Sequence, residues 1–240
     1  MIDKRIKSLV RTALKRAHET LLPWRETPDR LLSWKARSEL KFWRSWEMSN
    51  SHYHRFYTEM FDLSTEEYRG KRILDIGCGP MGSLEWADMA AERVGLDPLA
   101  REYLAMGADR HKMRYVAASS EDIPFKTGYF DIVASFNSLD HVDDLDKTIN
   151  EITRVTKPNG LFLLFSDVGH EPTACEPLVF QWDVVERFKP AFELIGQKHY
   201  ERNSIGVYES LMEGVPFDHK NPNRRCGLLW AKFKRKTLVR

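Results

Sequence analysis

From residue 71 onward, short apolar runs alternate with segments of helical periodicity. The apolar runs predict buried strands, and the periodic segments predict helices. Strands are predicted at 72–76, 93–96, 114–118, 130–136 and 161–166, and helices at 83–91, 99–106 and 143–156. Later predictions are a turn at 157–160, a helix at 182–188 and strands at 192–200 and 227–234. The alternation predicts an α/β fold with a doubly wound, mostly parallel sheet and helices on both faces.

The first 70 residues follow a different pattern. Ile2, Ile6 and Leu9 recur at helical spacing with lysines and arginines between them, which predicts an amphipathic first helix. A second helical segment follows and is rich in aromatic residues. We expect most of these rings to bury the helices against the sheet, and one or two to cover a binding site. Two units are therefore predicted, a helical N-terminal cap over residues 1–70 and an α/β domain over residues 71–240.

Composition narrows the partners and the compartment. The chain has 240 residues and a formal net charge of +2 at pH 7, which argues against a nucleic-acid partner. Its cysteines, Cys78, Cys175 and Cys226, are sparse and lack metal-binding spacing, so neither a disulfide framework nor a zinc site is predicted. Charged residues interrupt the apolar positions near the N-terminus, so we expect no secretory signal and a cytoplasmic location.

A glycine-rich turn after the first predicted strand is the strongest candidate for a ligand site. Gly77, Gly79 and Gly82 have the G-x-G-x-x-G spacing that lets a ligand approach the main chain closely. By itself this spacing is typical of dinucleotide-binding proteins. Asp75 argues against that interpretation, because a carboxylate is a poor neighbour for a pyrophosphate and suits a ligand with a positive end.

Further motifs follow in order along residues 71–166. The D-x-G-x-G-x-x-G segment at 75–82 resembles motif I of the class I S-adenosylmethionine-dependent methyltransferases. Asp97, followed by Pro98, resembles their second motif. Later segments resemble the remaining motifs of the small-molecule methyltransferase superfamily, at 123–133, 137–142 and 154–160. The ordered set implies a Rossmann-like fold and S-adenosylmethionine as the cofactor.

The resemblance implies a role for each matching residue. The glycine turn would line the methionine and ribose moieties, and Asp97 would accept hydrogen bonds from the ribose hydroxyls. The adenine would lie beside Ser120 and Glu121, although Ser119 stands where the family often has an acid. The cofactor-binding residues expected from the resemblance are Asp75, Gly77, Cys78, Gly79, Asp97, Pro98, Ser120, Glu121 and Asn137.

Two other functions stay open at this point. A NAD-dependent oxidoreductase of Rossmann fold would share the glycine turn. A catalytically silent protein would bind S-adenosylmethionine without transferring its methyl group. Binding of S-adenosylhomocysteine but not of NAD would separate the methyltransferase from the oxidoreductase, and transfer to an acceptor would separate it from the silent protein.

Methyl transfer to a hydroxyl or an amine usually needs a general base. His141 is the candidate catalytic residue, because it follows the fourth predicted strand at its carboxyl end and an imidazole exchanges protons near neutral pH. The alternative is that His141 caps the next helix or shapes the pocket. Asp140 is a candidate to orient the imidazole.

Acceptor-binding candidates come from two other segments. The loop after the fifth predicted strand concentrates histidine and acids, so we expect His170, Glu171 and Glu176 to contact the acceptor; a solvated loop is the alternative. Trp46 and Tyr53 are the candidates from the aromatic segment. Histidines and aspartates after the fourth and fifth strands share one edge of the sheet, but their spacing matches no known ligand motif, so no metal site is predicted.

These observations together predict transfer of a methyl group from S-adenosylmethionine to an oxygen or nitrogen of a small molecule or glycan. The N-P-P-Y/F tetrapeptide of nucleic-acid amino-methylating enzymes is absent, since serine follows Asn137. We expect the basic first helix to pack on the domain or on a partner subunit, with peripheral membrane contact as the alternative. The sequence predicts no oligomeric state.

Overall fold

The computed structural model describes residues 32–45, 50, 53–173 and 175–237. Seven strands form one sheet in the order β3-β2-β1-β4-β5-β7-β6. The first five strands pair in parallel, and β7 runs antiparallel to both β5 and β6. The predicted doubly wound, mostly parallel α/β fold is therefore confirmed. The predicted basic first helix lies outside the described residues.

The elements are numbered here in chain order. The strands are β1 Arg72–Ile76, β2 Glu92–Leu96, β3 Arg114–Val116, β4 Phe130–Phe136, β5 Thr156–Val168, β6 Phe192–Glu201 and β7 Gly227–Arg235. The described α-helices are α1 Trp34–Arg44, α2 Tyr53–Tyr57, α3 Ala100–Ala105, α4 Leu145–Val155 and α5 Val207–Glu213. Short 3-10 helices lie at Glu59–Phe61, Thr65–Tyr68, Ala108–Arg110, Leu139–His141 and Trp182–Arg187. None of the described helices is long and apolar enough to span a membrane.

Strand β1 lies in the middle of the parallel part of the sheet. It pairs with β2 on one side and β4 on the other, and four of its five residues are buried. Both faces of such a strand are covered, which explains why Ile73, Leu74 and Ile76 are all apolar. The connections from β1 and β4 leave in opposite directions, so a crevice opens at the carboxyl ends of these strands.

The segment between β1 and β2 differs from the prediction. We predicted a helix at 83–91, but residues 77–91 form consecutive turns without a helix. Contacts with distant residues hold these turns. The Arg93 guanidinium donates to the Glu85 carbonyl at 3.1 Å, and the Glu85 carboxylate accepts from the backbone of Lys112 and Met113 at 2.6 and 3.1 Å. The backbone N–H of Gly82 donates to the Tyr115 hydroxyl at 3.1 Å, which ties the start of this segment to β3.

The predicted turn at 157–160 is also different, because these residues belong to β5. The pairing of β4 with β5 shifts register between Phe130 and Ile132, which accommodates the extra residues as a bulge. Asn159 has a φ of 61°, a left-handed conformation that asparagine adopts more readily than most residues. The Lys157 ammonium fixes the same segment by pairing with Asp131 at 2.7 Å.

Two apolar clusters cover the two faces of the sheet. On one face, α4 packs Ile149, Ile152 and Val155 against the strands, as its amphipathic sequence predicts. On the other face, α2 and the 3-10 helices after it bury aromatic rings against β4 and β7. Tyr57 and Phe61 lie here against Phe136, with ring centroids 4.3 and 5.6 Å away. Most of the described aromatic residues before β1 thus belong to the core.

Candidate active site

The glycine turn brings two loops into close contact. Gly77 and Gly79 have φ values of 69° and 56°, which are left-handed conformations that other residues rarely adopt. A Cβ atom on Gly77 would lie 2.3 Å from the Cβ of Ser138, in the loop after β4. The Ser138 hydroxyl donates to the Ile76 carbonyl at 2.8 Å and fixes that loop against the end of β1. Glycine is therefore required at position 77 by both conformation and space.

Asp75 is buried inside this end of the sheet. Only 2% of its surface is exposed, and its Oδ2 accepts a hydrogen bond from the Ser83 hydroxyl at 2.5 Å. Its Oδ1 has no hydrogen-bond partner among the described residues. Burial raises the pKa of Asp75 to about 7, against the opposing effects of the Ser83 and Tyr57 hydroxyls. Oδ1 can therefore still accept a hydrogen bond from a ligand.

Asp97 follows β2 and faces the same crevice. Its Oδ1 accepts from the Leu99 backbone at 2.8 Å, and its Oδ2 accepts from the Gly79 backbone at 3.3 Å. Each oxygen can accept a second hydrogen bond. Burial raises the pKa of Asp97 to about 8, and the nearby negative charge of Glu39 adds to this rise. The arrangement suits a ligand that donates two hydroxyl hydrogen bonds, as a ribose does.

Helix α1 lies over the crevice. Lys35, Glu39 and Trp43 are spaced by four residues, so they share one face of this helix. The Trp43 ring lies against Gly79, 3.1 Å from the position that a Cβ atom would take there. The Lys35 ammonium donates to the carbonyl of His141 at the opposite end of the crevice. Leu40, 1% exposed, anchors α1 on the apolar cluster around α3.

Other residues predicted to bind the cofactor lie around the same crevice. Cys78 is buried, whereas Pro98 is exposed beside Asp97. Ser120 is buried, and its hydroxyl shares a hydrogen bond of 3.1 Å with Thr148. Asn137 has a φ of 49°, and its Oδ1 accepts from the Asp167 backbone at 3.3 Å.

Glu121 has a structural role in the described arrangement. Its Oε1 accepts from the backbone N–H groups of Asp143 and Asp144, at 2.9 and 3.2 Å. These bonds tie the segment after β3 to the segment before α4. The predicted contact of Glu121 with an adenine ring stays a prediction.

A second group of ionisable residues lies beyond the end of β4. Asp140 is fully buried, and neither of its carboxylate oxygens has a hydrogen-bond partner among the described residues. The Nε2 atom of His141 lies 3.9 Å from Asp140 Oδ1 and 3.7 Å from Glu176 Oε1. The Nε2 atom of His170 lies 3.7 Å from the other oxygen of Asp140. Burial raises the pKa of Asp140, although the two histidines oppose the shift.

Backbone contacts bring this group together. The Asp140 carbonyl accepts from the backbone N–H of Leu178 at 3.2 Å, which holds the loop after β5 against the loop after β4. This contact accounts for the approach of Glu176 to His141 across 35 positions of sequence. The predicted neighbours His141, His170 and Glu176 are thus found together.

Glu171 and Tyr53, two other acceptor-binding candidates, have different partners. Glu171 is on the surface and pairs with Arg224 at 2.9 Å. Tyr53 is buried on α2 and contacts the ring of Tyr208 at 6.4 Å between centroids. Trp46 lies outside the described residues.

No local pattern in the sequence indicated that Lys35 contacts the His141 carbonyl or that Glu39 lies near Asp97. Their spacing with Trp43 marks a helix face, but only the packing of α1 shows that this face lies over the crevice. The ion pair of Arg202 with Asp167, at 3.2 Å, was missed as well. It fixes the carboxyl end of β5, and no local pattern in the sequence joins these two residues.

Comparison with known proteins identifies the domain. The model of a protein family described as "Methyltransferase domain" matches residues 74–164, from β1 through most of β5. Residues 74–164 are therefore similar to the domain of class I S-adenosylmethionine-dependent methyltransferases. This similarity argues against the nicotinamide alternative. The family match includes the glycine turn, Asp97 and His141, and it excludes α1 and the loop that contains His170 and Glu176.

Individual relatives agree with this assignment. An "Uncharacterized methyltransferase" from Mycobacterium sp. (strain JLS) is 37% identical over 121 residues, which cover 47% of this chain and 48% of the relative. The chloroplastic tocopherol O-methyltransferase of Arabidopsis thaliana is 31% identical over 126 residues, which cover 49% of this chain and 36% of that protein. The aligned regions span about half the length, or less, of these curated relatives.

A solved structure supports the fold. This chain superposes with a TM-score of 0.59 on the N-methyltransferase NodS from Bradyrhizobium japonicum WM9. The NodS structure was solved in complex with S-adenosyl-L-homocysteine. The superposition covers 85% of this chain and 100% of NodS at 12% identity. At this identity the similarity concerns the fold alone.

Proposed function

We propose that this protein transfers a methyl group from S-adenosylmethionine to an oxygen or a nitrogen of a small molecule or glycan. The observation that carries the proposal is the pair of buried carboxylates, Asp75 and Asp97, at the carboxyl ends of adjacent strands beside the glycine turn. S-adenosylmethionine offers an ammonium group and two ribose hydroxyls, and these groups match carboxylate acceptors. Asp75 Oδ1, buried and without a partner among the described residues, fits such a ligand.

The proposed cofactor contacts follow from this arrangement. Asp97 binds the ribose hydroxyls through its remaining lone pairs, and the backbone of the glycine turn lines the ligand. The flanks of the proposed cofactor site are formed by Cys78, Pro98 and Asn137. The adenine end of the site is formed by Ser120 and Glu121. The bound cofactor supplies an electrophilic methyl group.

Helix α1 is proposed to keep water from the reacting groups. The sulfonium charge disappears during transfer, so a site from which water is excluded favours the reaction. Trp43 already lies against Gly79, and Lys35 ties α1 to the loop of His141. We propose that residues 1–70 act as a helical cap of the domain at 71–240 in this way.

His141 is proposed as the catalytic residue. It follows β4 at the edge where the transferred methyl group would be directed, and its Nε2 lies near two carboxylates. An imidazole there can act on the proton of a hydroxyl or amine acceptor. His170 and Glu176 are proposed to line the acceptor pocket beside it. Tyr53, Trp46 and Glu171 are proposed as further acceptor-binding residues.

The acceptor class is proposed from the candidate base and from the net charge. An imidazole base at His141 suits a hydroxyl or amine acceptor, and a relative named for O-methylation supports an oxygen acceptor. The mild net charge favours a small molecule or glycan over nucleic acid. The sparse cysteines support the cytoplasm as the proposed compartment.

The experiment is a transfer assay with S-adenosylmethionine labelled in its methyl group. Purified protein is incubated with a panel of small hydroxyl, amine and glycan acceptors, and label in the acceptor is measured with the S-adenosylhomocysteine released. We expect transfer by the natural protein and loss of it in Asp97→Asn, with Asp146→Asn as a surface control. Cofactor binding with no transfer to any acceptor would instead favour the catalytically silent protein.

A further inference from the structure

Three side chains beside the proposed acceptor pocket place their ligand atoms around one point. They belong to Asp140, His141 and Glu176, and their candidate ligand atoms all lie within 4.8 Å of one another. Asp140 and His141 come from the 3-10 helix after β4, and Glu176 comes from the loop after β5. Elements that are distant in sequence therefore supply one cluster.

The spacing within this cluster is too long for hydrogen bonds. The His141 Nε2 atom lies 3.9 Å from Asp140 Oδ1 and 3.7 Å from Glu176 Oε1, whereas N–H···O bonds span about 2.7 to 3.2 Å. Asp140 is fully buried, and both of its oxygens lack a hydrogen-bond partner among the described residues. A buried carboxylate without partners is strongly unfavourable unless it takes up a proton or a nearby cation compensates its charge.

His170 adds an independent indication of a cation. Its Nδ1 atom lies 2.8 Å from the Glu171 carbonyl, which can only accept a hydrogen bond, so Nδ1 carries the proton. In the neutral imidazole, Nε2 then presents a lone pair 3.7 Å from the other oxygen of Asp140. A single proton could join only one of the histidine nitrogens to one carboxylate oxygen. A cation bound among these side chains would offset the negative charges of Asp140 and Glu176 together.

The distances fit an ion shared by three ligands. Ligand atoms that each lie about 2.0 to 2.2 Å from one ion are themselves roughly 3 to 4 Å apart. One imidazole nitrogen and two carboxylate oxygens are the donor set of Mn²⁺, Fe²⁺ or Zn²⁺ more than of Ca²⁺ or Mg²⁺. Three protein ligands leave coordination positions open for an acceptor atom.

We propose that Asp140, His141 and Glu176 bind a divalent transition-metal ion in the acceptor pocket, with His170 against the second oxygen of Asp140. The inference rests on the proposed methyl transfer and refines the part that His141 takes in it. With the ion bound, His141 Nε2 is a metal ligand, and a coordinated acceptor hydroxyl gives its proton to water more readily. No metal site was predicted from the sequence, because the spacing of these residues matches no known ligand motif.

The test is titration of the full chain with Mn²⁺ after removal of bound metal by a chelator. Loss of the electron paramagnetic resonance signal of free Mn²⁺ measures binding, and S-adenosylhomocysteine binding is measured on the same sample. We expect one Mn²⁺ per chain. Affinity should fall about 10- to 100-fold in His141→Ala and in Glu176→Gln. The Glu176 side chain is one-third exposed, so this variant tests the ligand with little risk to folding.

A matched control and a separate readout keep the result interpretable. Glu186→Gln changes a surface carboxylate that pairs with Lys189, and its Mn²⁺ affinity should stay within about twofold of the natural protein. Absence of Mn²⁺ binding by protein that binds S-adenosylhomocysteine would overturn the metal inference and leave His141 as a free base. Equal Mn²⁺ affinity in all variants would overturn it as well. Loss of S-adenosylhomocysteine binding alone would count against the proposed function instead.

Discussion

The two halves of the candidate active site are built differently. On the cofactor side, Asp75 and Asp97 follow adjacent strands, and each carboxylate accepts a hydrogen bond from a neighbouring turn. On the acceptor side, Asp140, His141 and Glu176 come from two loops, and the buried carboxylate has no hydrogen-bond partner among the described residues. The sheet thus fixes the cofactor side, whereas loop packing and α1 fix the acceptor side. Substitutions should therefore separate binding of the cofactor from chemistry on the acceptor.

The largest separation is expected from His141→Ala. Removing this imidazole takes away either a general base or a metal ligand, so kcat should fall about 10²- to 10⁴-fold. The affinity for S-adenosylhomocysteine should stay within about twofold, because His141 lies on the acceptor side. Steady-state kinetics and calorimetric titration measure the two quantities. Equal losses of affinity and kcat would contradict the division into two halves.

Gly77→Ala should damage the contact between the two halves. The residue has a φ of 69°, and an added Cβ would lie 2.3 Å from Ser138. We expect the free energy of unfolding to fall by about 2 to 4 kcal/mol, measured by denaturant titration. Gly128→Ala is the matched control, since Gly128 has a φ of 63° with nothing within 4 Å of an added Cβ. It should cost about 1 kcal/mol, and equal losses in both variants would show that space at position 77 does not matter.

The pH dependence of stability should come mainly from the cofactor side. The pKa of Asp75 is raised to about 7 and that of Asp97 to about 8, from an ordinary value of 3.8. The folded chain therefore binds more protons than the unfolded chain between these values and about pH 4. The stabilising contribution is complete below about pH 4 and is lost as the pH rises through about 8. The melting temperature should therefore decrease as the pH rises through this window. The decrease should be smaller in Asp97→Asn than in the natural protein.

A smaller effect is expected from Glu39→Gln on α1. The Glu39 charge raises the pKa of Asp97, so its removal should lower that pKa. The upper end of the stability decline should then move to lower pH by less than about one unit. Glu59→Gln, a surface change paired with Arg55, is the control. An unchanged profile in Glu39→Gln would mean that α1 does not lie over Asp97 in solution.

The sequence predicted the sheet well for a physical reason. Buried parallel strands appear as apolar runs bounded by turn residues, and this local signal located the five parallel strands, with differences at the ends. The segment at 83–91 has helical periodicity, yet Arg93 and Glu85 hold it in turns through contacts with distant residues. Such contacts have no local signature. The same limit applies to Glu176, which reaches His141 only because Leu178 bonds to the Asp140 carbonyl.

The carboxylates beside the glycine turn are proposed to bind S-adenosylmethionine. The decisive measurement is calorimetric titration of the purified chain with S-adenosylhomocysteine, with NAD in parallel. We expect micromolar binding of S-adenosylhomocysteine, weakening of it by about 100-fold in Asp97→Ala, and no binding of NAD. Binding of NAD, or an unchanged affinity for S-adenosylhomocysteine in Asp97→Ala, would contradict it.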